Sequence, residues 1–165
     1  MIIAHMACMA LMAPGEIRPL TDAERAGLCP GLAEMLDAAG VSPRIVARPA
    51  LPARIARLWR GSTPILAWGD AIFWPGAARD FSETRSMALL QHELQHVLDY
   101  TTGALTPLGY LLSPRNWTYR YRLHEGSEWA EFGAEQRAQI AEDYWRLSRG
   151  GGGDCLHHRR VLPWA

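Results

Sequence analysis

The chain of 165 residues contains no lysine; all 17 of its basic residues are arginine. Without a side-chain amine it can form no Schiff base and has no lysine nucleophile. Cysteine is scarce. Cys8, Cys29 and Cys155 are an odd set at spacings that match neither a disulfide framework nor a C-x-x-C metal knuckle, so reduced thiols are expected. The 17 acidic residues balance the basic ones at a net charge of zero, which leaves no electrostatic footprint for nucleic acid or an anionic membrane. No apolar run approaches the roughly 20 residues that cross a bilayer. Met1 to Ala13 is apolar, but it lacks a basic leader region and contains His5, so it reads as a buried or interfacial segment and a cytoplasmic location is expected. With 48% hydrophobic residues, the chain is long enough to bury one core and form a cleft.

What the chain does contain is His92-Glu93-Leu94-Gln95-His96, within a stretch whose Met87, Leu90, Leu94, Val97 and Leu98 recur at helical spacing. On a helix, positions i and i+4 share a face, so both imidazoles can close on one zinc ion. Glu93 is too near in sequence to be a third ligand of that ion. It is well placed to act as a general base.

Around this stretch the pattern is mixed α+β. Thr21-Asp-Ala-Glu24 has the form of a capping box, opening helical pieces over Asp22–Leu28 and Gly31–Ala39 that Pro30 separates and Gly40 ends. Arg44–Arg48 reads as a short strand. Leu51–Arg60 is open between helix and loop. Pro64–Trp68, Gly69-Asp70 and Ala71–Trp74 form a β-hairpin pattern, whose first strand is either a core strand or an open edge for an extended peptide. The central helix is expected from about Phe81 to Thr102, capped by Asp80 or Glu83, with Gly103 after it. Leu105–Pro114 is a loop or broken helix. Trp117–Leu123 alternates as a strand would, Glu128–Arg149 reads as a second long helix, and residues 150–165 as a Gly-rich mobile tail after a single domain over 1–149.

A hydrolytic zinc site needs three protein ligands and an open position. On the second helix Glu135 is the preferred third ligand, because Ala138 one turn on is small enough to let the two helices approach. Glu131 and His124 remain alternatives, as does the Cys155, His157 and His158 cluster; Glu128 and Glu142 read as solvated. Tyr119, Tyr121 and His124 are candidate oxyanion donors, with Tyr121 preferred as the catalytic one. Arg120 and Arg122 could favour acidic side chains near the cleft or, as arginines on a strand's outer face, be solvated.

Arg18-Pro-Leu-Thr-Asp-Ala-Glu24, the hairpin ending near Phe73, His92-Glu93-x-x-His96, Tyr119-Arg-Tyr-Arg-Leu123 and Phe132-Gly-x-Glu135-Gln-x-Ala138 together resemble the bacterial Vgr-related proteins. These are zincin-like proteins found with contractile injection systems, and the resemblance spans about Ile17 to Arg149. It implies a zincin-like fold, a small sheet with a β-hairpin packed on two long active-site helices, with His92, His96 and Glu135 on zinc and Glu93 as base. Gln139 stands where related sequences often carry an acid that orients a histidine, and Asp99 offers another acceptor. The expected activity is zinc-dependent hydrolysis of a peptide or protein substrate. A non-catalytic part of a secretion or phage-tail-like assembly and a toxin-like effector exported by an injection system are the alternatives.

Overall fold

The computed structural model describes residues 11–50, 64–81, 83–150 and 155–165; the expectations for residues 1–10 and for Leu51–Arg60 lie outside these. The described residues form a four-stranded sheet and six α-helices, a mixed α+β arrangement. Strands β1 (Ile17–Pro19), β2 (Arg44–Val46), β3 (Leu66–Trp68) and β4 (Ala71–Phe73) lie in the order β1-β2-β4-β3. The hairpin forms where the pattern placed it, with Trp68 opposite Ala71 across a turn in which Gly69 has φ 59°. Only glycine takes that position without strain, and it gives the turn the twist a hairpin needs. β4 runs parallel to β2, so β3 is left at the edge of the sheet.

Glu24 ties the first half of the chain together. The Thr21 hydroxyl accepts the Glu24 N–H while the Glu24 carboxylate accepts the Thr21 N–H, capping α1 (Asp22–Ala26) reciprocally. The same fully buried carboxylate takes two bonds from Arg18 on β1, at 2.6 and 2.7 Å, and the Phe81 N–H at 2.9 Å. Strand, helix and the lead into the central helix therefore share one charge, and that is what makes its burial tolerable. Helix α2 (Pro30–Ala38) starts on proline and stops before Gly40, whose φ is 67°.

The central helix, α3 (Thr84–Thr101), starts later than Phe81. Asp80 does not cap it, because its carboxylate is engaged by the Thr21 hydroxyl at 3.1 Å; Glu83 is the N-cap but contributes only its main-chain carbonyl, to Met87 N–H. Helix α3 is buried on almost every side. Gln91, His92, Glu93, Gln95, His96 and Asp99 lie among its buried residues along with Leu90, Leu94, Val97 and Leu98. Buried polar groups need partners, and Gln91 finds one outside any ligand set, accepting the Cys29 N–H. Burial in this region also pushes the Cys29 thiol up to about 12, and Cys29 and Cys155 are both free, as expected of reduced thiols.

The chain then runs through α4 (Pro107–Leu112), a 3-10 turn (Pro114–Trp117), irregular structure and a second 3-10 turn (Trp129–Glu131) before α5 (Ala134–Ser148). Trp117–Leu123 is not a strand. Its main chain is held by helix side chains, with Gln136 Nε2 donating to the Arg120 carbonyl at 2.6 Å, so it pairs with α5 and not with the sheet. Nor does the second helix begin at Glu128. Gly133 caps it, donating its N–H to Gln136 Oε1, and packs so closely that a Cβ there would stand 2.1 Å from the Arg115 carbonyl oxygen.

The expected mobile tail is instead part of the core. Residues Leu156–Val161 form α6, and Val161, Leu162 and Trp164 are buried. Trp164 donates its indole N–H to Gln95 at 3.0 Å, and its carbonyl oxygen occupies the space a Cβ on Gly31 would need. Trp164→Ala should therefore lower the unfolding free energy by about 3–5 kcal/mol, read by urea denaturation. A tail that hung free would leave the midpoint unchanged.

Candidate metal centre

Three side chains converge between α3 and α5. His92 and His96 project from α3 one turn apart, and Glu135 lies in the first turn of α5. Ala134, Ala138 and Ala141 on α5 are fully buried, so the helices approach without bulky side chains between them. Glu135 Oε2 stands 3.3 Å from His92 Nε2 and 3.4 Å from His96 Nε2. All three donor atoms lie within 4.8 Å of one another and all three residues are buried.

The polarity of this cluster suits a cation. Glu142 Oε2 lies 3.2 Å from His92 Nδ1, which favours a proton on that nitrogen and turns the Nε2 lone pair toward Glu135. Lone pair then faces carboxylate unless a proton or a metal ion sits between them. Burial alone would push the His92 pKa down, but its contacts with Glu135 and Glu142 outweigh this and raise it to about 10. Glu135 is the mirror case: burial raises its pKa, and the contacts with His92, His96 and Tyr110 more than reverse that, holding it well below the carboxylate range. Four-coordinate zinc, with bonds of about 2.0–2.1 Å, keeps its ligand atoms roughly 3.3–3.4 Å apart. The spacing of Glu135 from each histidine fits that ion.

Glu93 is buried beside the cluster, and burial pushes its carboxyl pKa up. The main chain of Ala67 on edge strand β3 lies near it and partly offsets that rise. Asp99 is also buried, but it is occupied by Gln95 Nε2 at 2.8 Å and Arg137 at 3.0 Å. Gln139 bonds Asp143 and leaves the histidines alone. The acid beside His92 is Glu142, buried and held by Arg146 at 2.5 Å, so its reading as a solvated side chain is overturned. A signal for it was present: positions 135, 138 and 142 share one face of a helix.

The tyrosines sort differently from the expectation. Tyr121 is not at the cluster: its hydroxyl donates to Asp143 at 2.6 Å and lies 2.8 Å from His158 Nε2, tying α5 to α6, so the catalytic role assigned to it is withdrawn. Tyr119 does reach the site, its ring 5.9 Å from that of His92. Tyr110, which sequence reasoning missed, donates its hydroxyl to Glu135 Oε1 at 2.7 Å. It leaves Oε2 as the oxygen that faces both histidines. Glu128, Glu131 and His124 are exposed, and His158 is engaged with Tyr121. Among the described residues, none of these joins the His92, His96 and Glu135 group.

The cluster opens into a cleft of about 290 Å³ walled by β3 on one side and by α4 and Tyr119 on the other. Compared with protein-family models, curated proteins and solved structures, the chain finds no match. Among the described residues, no helix is long and apolar enough to cross a membrane. If the group holds zinc, Glu142→Ala should weaken its affinity by about 10–100-fold in competition with a chromophoric chelator, with the fold retained. Unchanged affinity would remove Glu142 from the site.

Proposed function

We propose that this protein is a zinc-dependent peptidase, with His92, His96 and Glu135 as ligands and Glu93 as general base. The observation that carries the reading is the buried two-histidine, one-glutamate group, with a second carboxylate, Glu93, beside it and a cleft in front. A structural zinc site is closed by four protein ligands, whereas a hydrolytic one keeps a position open. The resemblance to Vgr-related proteins points to the same ligand set.

Zinc, when bound, supplies Lewis acidity that polarises a carbonyl and acidifies water. The chain's own residues do the rest. Tyr110 fixes the orientation of Glu135 through Oε1. Glu142 fixes the tautomer and ring of His92. Glu93, in a site that raises its proton affinity, takes a proton from water as the oxygen adds to the scissile carbon. It then delivers that proton to the amide nitrogen as the C–N bond breaks, leaving a carboxylic acid and an amine. Tyr119, beside His92 at the cleft, replaces Tyr121 as the candidate donor to the oxyanion.

Purified protein should carry about one zinc per chain, and Glu135→Ala should lose it. Glu93→Gln should keep the zinc while turnover of a peptide substrate falls by about 10²–10⁴-fold. Cleavage at an undiminished rate by the zinc-loaded variant overturns the assignment. Chelation should abolish turnover in the wild type, and added zinc restore it.

A further inference from the structure

The walls of the cleft carry information about what enters it. Apart from the zinc-site residues His92, His96 and Glu135 and the base Glu93, no charged side chain lines it among the described residues. Its surface is supplied by Leu66, Trp68, Leu105, Leu111, Tyr100 and Tyr119, with neighbouring apolar groups. Arg120 and Arg122 do not line it; they flank a separate depression with Glu131 and Gln136. No Arg or Lys in the cleft therefore compensates the desolvation of an acidic substrate side chain, which is the costly step in burying one.

Helix α4 adds a second observation. It buries none of its residues, and Leu108, Leu111 and Leu112 are 65%, 63% and 72% exposed. Leu111 is at once a wall of the cleft and part of this exposed apolar face. Across the cleft, Trp68 is 49% exposed on β3, the edge strand of the sheet. The two walls thus differ in kind. One is a strand edge that can align an extended chain, and the other is a row of apolar side chains.

We infer that the cleft selects extended peptides with large apolar side chains next to the reacting bond, and that Leu111 and Tyr119 determine this specificity. The inference rests on the peptidase reading for the word "reacting", but the selection itself is a property of binding. A bulky apolar side chain gains by leaving water against Leu105, Leu111 and Tyr119, and an acidic one would in addition approach Glu93 and Glu135. Leu111 is the residue to change, because its exposure lets it be replaced without opening a cavity in the core.

The test is a mixture of peptides differing only in the residues around one bond, incubated with zinc-loaded wild type and Leu111→Arg and read by mass spectrometry. Wild type should cleave beside Leu, Ile, Met, Phe, Tyr or Trp in preference to Asp or Glu by tenfold or more, and Leu111→Arg should reduce that preference at least tenfold. Cleavage without regard to side-chain class overturns the inference and leaves the peptidase reading standing. If wild type cleaves nothing, the same peptides are presented on an array to zinc-loaded Glu93→Gln and to its Leu111→Arg double variant. Apolar-selective binding that Leu111→Arg weakens sustains the inference while the peptidase reading fails; binding without selectivity overturns it. Sedimentation of the same samples supplies the remaining outcome. A dimer that Leu111→Arg dissociates, with peptide preference unaltered, makes α4 a contact between copies and overturns the inference.

Discussion

A carboxylate oxygen held 3.3 and 3.4 Å from two imidazole nitrogens, almost out of reach of water, is tolerable only if positive charge lies between them. With both imidazoles neutral, Glu93, Glu135 and Glu142 face a single arginine, Arg146, and the excess of negative charge matches a divalent cation. Protonation of His92 answers the same need in another way, and that is why its proton affinity is raised despite burial. The packing of α3 on α5 depends on this balance. Ala134, Ala138 and Ala141 let the helices approach, but the facing groups on either side of them are charged, so a cation bound in the proposed site would complete the interface too.

The parts legible in the sequence were those governed by local spacing. Two histidines four apart need only a helix to share a face, and a glutamate beside a small-residue stripe needs only a second one. Gly69-Asp70 between apolar runs needs only its own backbone to make a hairpin. Thr21 and Glu24 likewise cap a helix from three residues apart. What escaped were contacts between elements whose relative placement no local pattern encodes. Tyr110 reaches Glu135 because a short proline-started helix is set down opposite α5. Alternation over Trp117–Leu123 suggested a strand, yet Gln136 and Asp143 on α5 take its polar groups. The C-terminal residues were misjudged because the glycines before them dominate the pattern, although Val161, Leu162 and Trp164 were an apolar signal that they dock.

Helix α3 has two sides with different duties. One is a buttress: Gln95 is bonded by Trp164 and bonds Asp99, and Asp99 in turn is paired with Arg137. Through Gln95 and Asp99 the helix is tied to the last residues of the chain and to α5, so its rotation about its own axis is set by side-chain bonds in addition to apolar packing. The other side presents His92, Glu93 and His96. Fixing the first side is what aims the second.

The wall of the cleft is built on another principle. From Thr106 to Phe132 no residue is buried; Tyr121, Leu123, Trp129 and Phe132 pack partly buried against the core, while the part before them is held by polar contacts to α5 and by Trp117 donating to the Tyr110 carbonyl. Stretches with few buried apolar contacts open at lower cost than core helices. The ligands on α3 and α5 are therefore insulated from rearrangement of the wall, with one exception. Tyr110 belongs to the wall, and its hydroxyl holds Glu135 Oε1. If the group holds an ion, that single bond ties the wall to one ligand oxygen, while both histidines belong to α3.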